Sequence, residues 1–185
     1  YAFAGAIKET ADIYPEVTFI ALDVGAGDLG DDYTLPSNLY CAVYQEELCG
    51  YMAGYAAVKL GYTKLGFLGG MAVPAVQRYG YGFLQGADAA AAELKAKVNV
   101  KYAYGNKFNG DPDITAAMDT WYAGGTQVVF ACGGGIFTSA ADAAKKVSGA
   151  KMIGVDVDQA GVINGYSGVE DMTVTSAMKG LAATV

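Results

Sequence analysis

The sequence predicts an α/β fold built on a doubly wound parallel sheet, and three observations point there. Short runs rich in β-branched and aromatic residues alternate with longer stretches of helical periodicity, the signature of βαβ units. The runs end in glycine or polar residues, as strands do where they enter a loop. Apolar residues fill 53% of the 185 positions against 17% charged, which suits a chain with a sizeable core and excludes disorder.

The elements follow in order. The first residues are helical in pattern (Ala2-Phe3-Ala4-Gly5-Ala6-Ile7). Residues 16–22 (EVTFIAL) follow Pro15 and stop at Asp23, which marks a strand. Residues 23–36, rich in glycine and aspartate, read as a loop, and residues 38–43 as extended chain. Small and apolar residues recur at helical spacing over 45–60, with Gly61 as the stop. Residues 64–68 (KLGFL) form the next strand, followed by Gly69-Gly70. Pro74 suits a first helical turn, and that helix runs to Lys95. After a strand at 98–104, Asn109-Gly110 turns, Asp111 caps, and Pro112 opens a helix to Tyr122. A strand at 127–132, a helix at 136–147 and strands at 151–155 and 172–177 complete the series. The five strands after Leu60 make one doubly wound unit within residues 38–177. One helix, one strand and a loop are too little for a second core, so residues 1–37 are expected to pack apart from that sheet.

Composition removes several function classes. Twelve lysines and arginines face nineteen acids, for a net charge of −7, so no basic surface exists to carry the phosphate contacts of a nucleic-acid binder. Histidine is absent, which rules out His-based triads and His-ligated metals. Cys41, Cys49 and Cys132 show no CxxC spacing. Cys132 closes the run Val128-Val129-Phe130-Ala131 and reads as a small buried hydrophobe; Cys41 and Cys49 could bridge, but nothing requires it. No apolar run reaches the ~20 residues of a membrane span. The chain starts on Tyr1 with no charged segment leading into an apolar one, and reads as an internal piece of something longer.

Ligands of open α/β sheets bind beyond the carboxyl ends of the strands. There the sequence places Gly69-Gly70-Met71-Ala72, then Gly105-Asn106-Lys107-Phe108, then Gly133-Gly134-Gly135, and then Asp156, Asp158 and Gln159. The triple glycine, with Gly134 at its centre, either lets backbone N–H groups approach an anion or hydroxyl or simply makes a tight turn. It matches neither a P-loop nor a dinucleotide fingerprint. The acidic loop Asp23, Asp28, Asp31, Asp32 misses the spacing of a calcium loop and reads as a solvated surface. No GxSxG occurs, and no base is available to a serine. Catalytic residues, metal ligands and cofactors are therefore not expected. Asp156 and Asp158 diverge by the strand period, which favours one ligand contact and one turn contact over joint catalysis. A carboxylate accepts from two vicinal hydroxyls at once, the usual hold on a sugar diol.

These residues also carry a family resemblance. Residues 16–22 and the helix Gln45-Glu46-Glu47-Leu48-Cys49-Gly50-Tyr51-Met52-Ala53-Gly54-Tyr55-Ala56-Ala57 resemble the basic membrane protein (PnrA-like) substrate-binding lipoproteins of ABC importers. So do Gly66-Phe67-Leu68-Gly69-Gly70-Met71, the spaced set Pro74, Arg78, Gly82, Phe83 and Gly86, the run Gly154 to Gln159, and Thr175, Ser176 and Lys179. The matches run in order over nearly the whole chain. The resemblance implies one lobe of a type I periplasmic-binding-protein fold with a remnant of the other. Residues 1–37 would be the tail of the first lobe, 38–171 the second lobe and 172–185 the strand crossing back. It further implies a purine nucleoside or related ribose-bearing ligand, permease and ATPase subunits as partners, an extracytoplasmic location through a lipid anchor outside this chain, and no catalysis. Ala72 departs from the family, where many members carry Asp, so a polar contact is lost there.

Three functions compete: a solute-binding protein of an importer, a ligand-sensing domain of a regulator or receptor on the same fold, and an enzyme on a doubly wound sheet. The missing histidine and phosphate loop weigh against the enzyme, and the family motifs favour the importer. For that function Asp156 is expected to hold ligand hydroxyls, its alternative being a turn cap, with Lys179 as a charged donor nearby. Phe108 is expected to stack on the ligand, or else to cap the core, with Phe137 as the fallback. Gln45 and Glu46 are the expected base-side contacts, unless they are charges favoured by a helix N-terminus.

Overall fold

The computed structural model describes residues 3–184, which divide into two compact units, Tyr1–Tyr44 and Gln45–Val185. In the first, helix α1 (Ala4–Ile13) precedes strand β1 (Phe19–Leu22), a 3-10 turn (Ala26–Leu29) and strand β2 (Leu39–Ala42). The strands pair in parallel, Phe19 opposite Leu39 through Leu22 opposite Ala42. Ala4, Ala11, Ala21, Val24, Leu29 and Leu39 close a small core. Asn38 ties it together, its amide donating to the carbonyls of Ala11, Tyr14 and Val17 at 3.0–3.1 Å. In the acidic loop, Asp28 accepts from the Gly25 N–H at 2.8 Å.

The partner of β2 moves the domain boundary. The expected division at 37/38 gives the extended segment to the second unit, whereas its ladder to β1 keeps it in the first, and the units part between Tyr44 and Gln45.

The second unit runs α2 (Glu46–Lys59), β3 (Lys64–Gly69), α3 (Pro74–Leu94), β4 (Asn99–Tyr104), α4 (Pro112–Ala123), β5 (Val128–Cys132), α5 (Phe137–Ala144), β6 (Lys151–Asp156), α6 (Ala160–Ser167), β7 (Thr173–Met178) and α7 (Leu181–Thr184). All five strands are parallel in the order β4-β3-β5-β6-β7, the doubly wound sheet that the sequence predicts. Residues 173–178 are the fifth strand of this sheet, as the sequence predicts, and fall within the second unit. Because neighbouring side chains on a strand point to opposite faces, Phe67 and Phe130 enter one core with Tyr79 and Phe83, while Leu68 and Val129 enter the other with Met118 and Ile136.

Two packing features fix the helices. Gly50 and Gly54 of α2 lie against the carbonyls of Tyr79 and Phe83, and Gly82 and Gly86 of α3 against those of Glu47 and Tyr51, so close that any Cβ would collide with backbone. On the opposite face, Trp121 lies on Gly66, where a Cβ would come within 2.8 Å of the ring. Asp111 caps α4 as expected, accepting from the Ile114 N–H at 2.8 Å and pairing with Lys107. Helix α6 is not anticipated by sequence, since Gly161 and Gly165 depress its propensity; the helix expected over 136–147 is regular only over Phe137–Ala144.

Candidate functional site

Strand order changes direction between β3 and β5, the place where doubly wound sheets open a ligand crevice. Gly70 follows β3 there and Gly133 follows β5, with the Gly70 N–H donating to the Cys132 carbonyl at 2.8 Å. The Phe108 ring lies on both glycines; a Cβ on Gly70 would collide with it, and one on Gly133 would come within 2.8 Å. Phe108 is half-buried and packs against the Phe67 core. Gly134 (φ +50°) has no room for a Cβ beneath the Phe108 carbonyl, which also accepts from the Gly135 N–H at 2.6 Å. The triple glycine thus seats the Phe108 loop.

One strand further along the sheet, Asp156 ends β6 in a left-handed conformation (φ 65°). Its carbonyl accepts from the Lys179 N–H at 2.8 Å. Its Oδ1 accepts from the Tyr79 hydroxyl at 3.3 Å and lies 3.5 Å from Lys179 Nζ. That ammonium lies 5.7 Å from the Tyr79 ring centre and 3.2 Å from Glu46 Oε1, while Glu46 Oε2 accepts from Arg78 Nε at 2.6 Å. Arg78, Glu46, Lys179 and Asp156 therefore form one chain of alternating charge. The Glu46 side chain is fully buried and that of Lys179 is 3% exposed, whereas that of Asp156 is 42% exposed. Buried charges persist only when paired, and this pairing brings the network to solvent at a carboxylate. Burial, reinforced by the Asp156 charge, pushes the Tyr79 phenol well above its ordinary range, so it stays a hydrogen-bond donor.

The structure brings Asp156, Lys179 and Glu46 together, and Phe108 with Gly134. Gln45 is exposed at the N-cap of α2, and its side chain makes no capping bond. The Glu46 carboxylate is fully buried and faces two cations, Arg78 and Lys179. Phe137 packs edge-on against Tyr166 of α6 at 5.8 Å, with the core on the other face of the sheet, because α5 turns it that way. Asp158 supplies the turn contact, accepting from the Ala160 N–H at 3.0 Å. Cys41 and Cys49 are free thiols. Tyr79 and Arg78 join this network without being candidate site residues in the sequence, although Arg78 stands in the spaced family set with Pro74 and Gly82.

A family model described as ABC transporter substrate-binding protein PnrA-like matches residues 1–185. The chain is 29% identical over 167 residues to the ABC transporter nucleoside-binding protein BmpA of Lactococcus lactis subsp. cremoris, a match covering 86% of this chain and 44% of that protein. It is 33% identical over 133 residues to Basic membrane protein B of Borreliella burgdorferi, covering 70% of this chain and 38% of that protein. An ABC transporter solute-binding protein from Aeropyrum pernix K1 superimposes with a TM-score of 0.68 at 18% identity, over 85% of this chain and 44% of its own, a likeness of fold alone. The chain spans less than half the length of these relatives.

Proposed function

The chain belongs to the PnrA-like family of ABC transporter substrate-binding proteins, and from that premise we propose that it forms part of the binding component of an importer for a purine nucleoside or related ribose-bearing solute. In this reading residues 45–185 are the second lobe of the binding protein and residues 1–44 the tail of the first. The intact protein works outside the cytoplasm on a lipid anchor and delivers its ligand to a permease driven by an ATPase. It carries out no chemistry on the ligand. A regulator's sensing domain would share the fold, but the family match favours the importer.

The observation that carries the ligand class is Asp156, a half-exposed carboxylate held in place by Tyr79 and Lys179 beside the crevice. Two acceptor oxygens suit the vicinal hydroxyls of a ribose, and Lys179 suits a ligand oxygen. Phe108, seated on Gly70 and Gly133 one strand away, offers an aromatic surface for the base or the sugar face. The test is calorimetric titration of the intact protein with inosine and with 2′,3′-dideoxyinosine. Loss of the diol should weaken binding by about tenfold or more, since bonds to charged groups contribute ~1.5–3 kcal/mol. Equal affinity for the two would mean that no carboxylate reads the diol.

A further inference from the structure

Glu46 is the member of the ion network that touches both cations. Its side chain has no exposed surface, Oε2 accepts from Arg78 Nε at 2.6 Å, and Oε1 lies 3.2 Å from Lys179 Nζ. Lys179 stands between this carboxylate and Asp156, 3.5 Å away on its other side. A buried ammonium given a single carboxylate settles fully on it, because little else in a dry interior offsets the lost hydration. Given two, it is shared.

We propose that Glu46 is a positioning residue for ligand capture: anchored by Arg78, it draws the Lys179 ammonium back from Asp156 and sets both groups at the spacing that receives ligand hydroxyls, without itself touching the ligand. The proposal rests on Asp156 and Lys179 forming the diol site. The anchor suits the task, since a guanidinium is permanently charged and directs its N–H groups in a fixed plane. The glycine contacts between α2 and α3 hold in place the two helices that carry Glu46, the first residue of α2, and Arg78, in the second turn of α3. Glu46 thus meets Lys179 from a rigid platform.

A double-mutant cycle on the intact protein, titrated with inosine, tests this. Glu46→Asp keeps the charge but shortens its reach, and Lys179→Met removes the ammonium. Each change alone should weaken inosine binding by about fivefold or more, and Glu46→Asp should cost less than about twofold once Lys179 is replaced, since groups acting through one another are not additive. Fully additive losses would overturn the proposal in favour of a direct Glu46 contact. Unchanged inosine affinity with a lowered melting temperature in Glu46→Asp would reduce Glu46 to a fold-stabilising ion. If Glu46→Asp does not fold, Arg78→Lys takes its place in the cycle under the same expectations, because Arg78 is one-third exposed. Wild type that ignores inosine, or Lys179→Met with full affinity, would overturn the assignment of the site and this proposal with it; additivity alone would leave that assignment standing.

Discussion

Asp156 meets two demands together. Its φ of 65° is a left-handed backbone that strains most side chains and that Asp and Asn tolerate best, and its carboxylate brings a buried network to solvent. Asp156→Asn keeps the backbone preference and discards the charge, while Asp156→Ala discards both. Either should weaken ribonucleoside binding by about ten- to hundredfold, but Asn should melt closer to wild type than Ala; titration beside a thermal melt reads both effects. A second carboxylate acts on stability alone. The Ile114 N–H, then the Lys107 ammonium, hold Asp111 below its ordinary carboxylate pKa. A depressed folded pKa adds stability that is present above the unfolded value and is lost as pH falls through the folded one. Asp111→Ala should therefore lower the melting temperature at neutral pH, and the gap should close as melts are repeated from about pH 5 towards pH 2. Asp156 and Lys179 are legible in the sequence because strand exits are local patterns. Tyr79 and Arg78 are not, since their partners lie 77 and 32 residues away.

Helices α2 and α3 show why some elements read clearly and others do not. Periodicity and a stop glycine mark α2, yet its purpose emerges only from the interlocked glycines, where backbone meets backbone. Gly86→Ala would drive a methyl group into the Tyr51 carbonyl, an obstacle that cannot change rotamer. Overpacking usually costs about 1–3 kcal/mol, and this substitution should reach at least the upper end in urea unfolding. Unaltered stability would show that the helices can separate at little cost. The sheet strands are legible because their apolar runs declare burial on both faces. Strand β2 is visible as extended chain but its neighbour is not, because pairing is a long-range choice. Helix α6 escapes notice because its glycines speak against the helix that tertiary packing of Ile163 stabilises.

At the scale of the molecule, the two units are unequal. The second has a complete five-stranded sheet with a core on each face, while the first has two strands and one small cluster. A two-stranded sheet is marginal on its own. Residues 45–185 alone should keep a cooperative thermal transition by circular dichroism, and residues 1–44 alone should show none. A non-cooperative melt of 45–185 would mean that its core depends on chain outside it. The seating of Trp121 on Gly66 adds an optical consequence. It is the single tryptophan among fourteen tyrosines, and Gly66 precedes Gly70 of the crevice by four residues, ~13 Å along an extended strand. Indole emission should therefore shift as the second unit denatures yet stay constant as inosine saturates the protein. Within this chain any luminescent signature of occupancy should come from the phenols, Tyr79 foremost, so Trp121 is expected to report the folding of its own unit and not the binding of inosine.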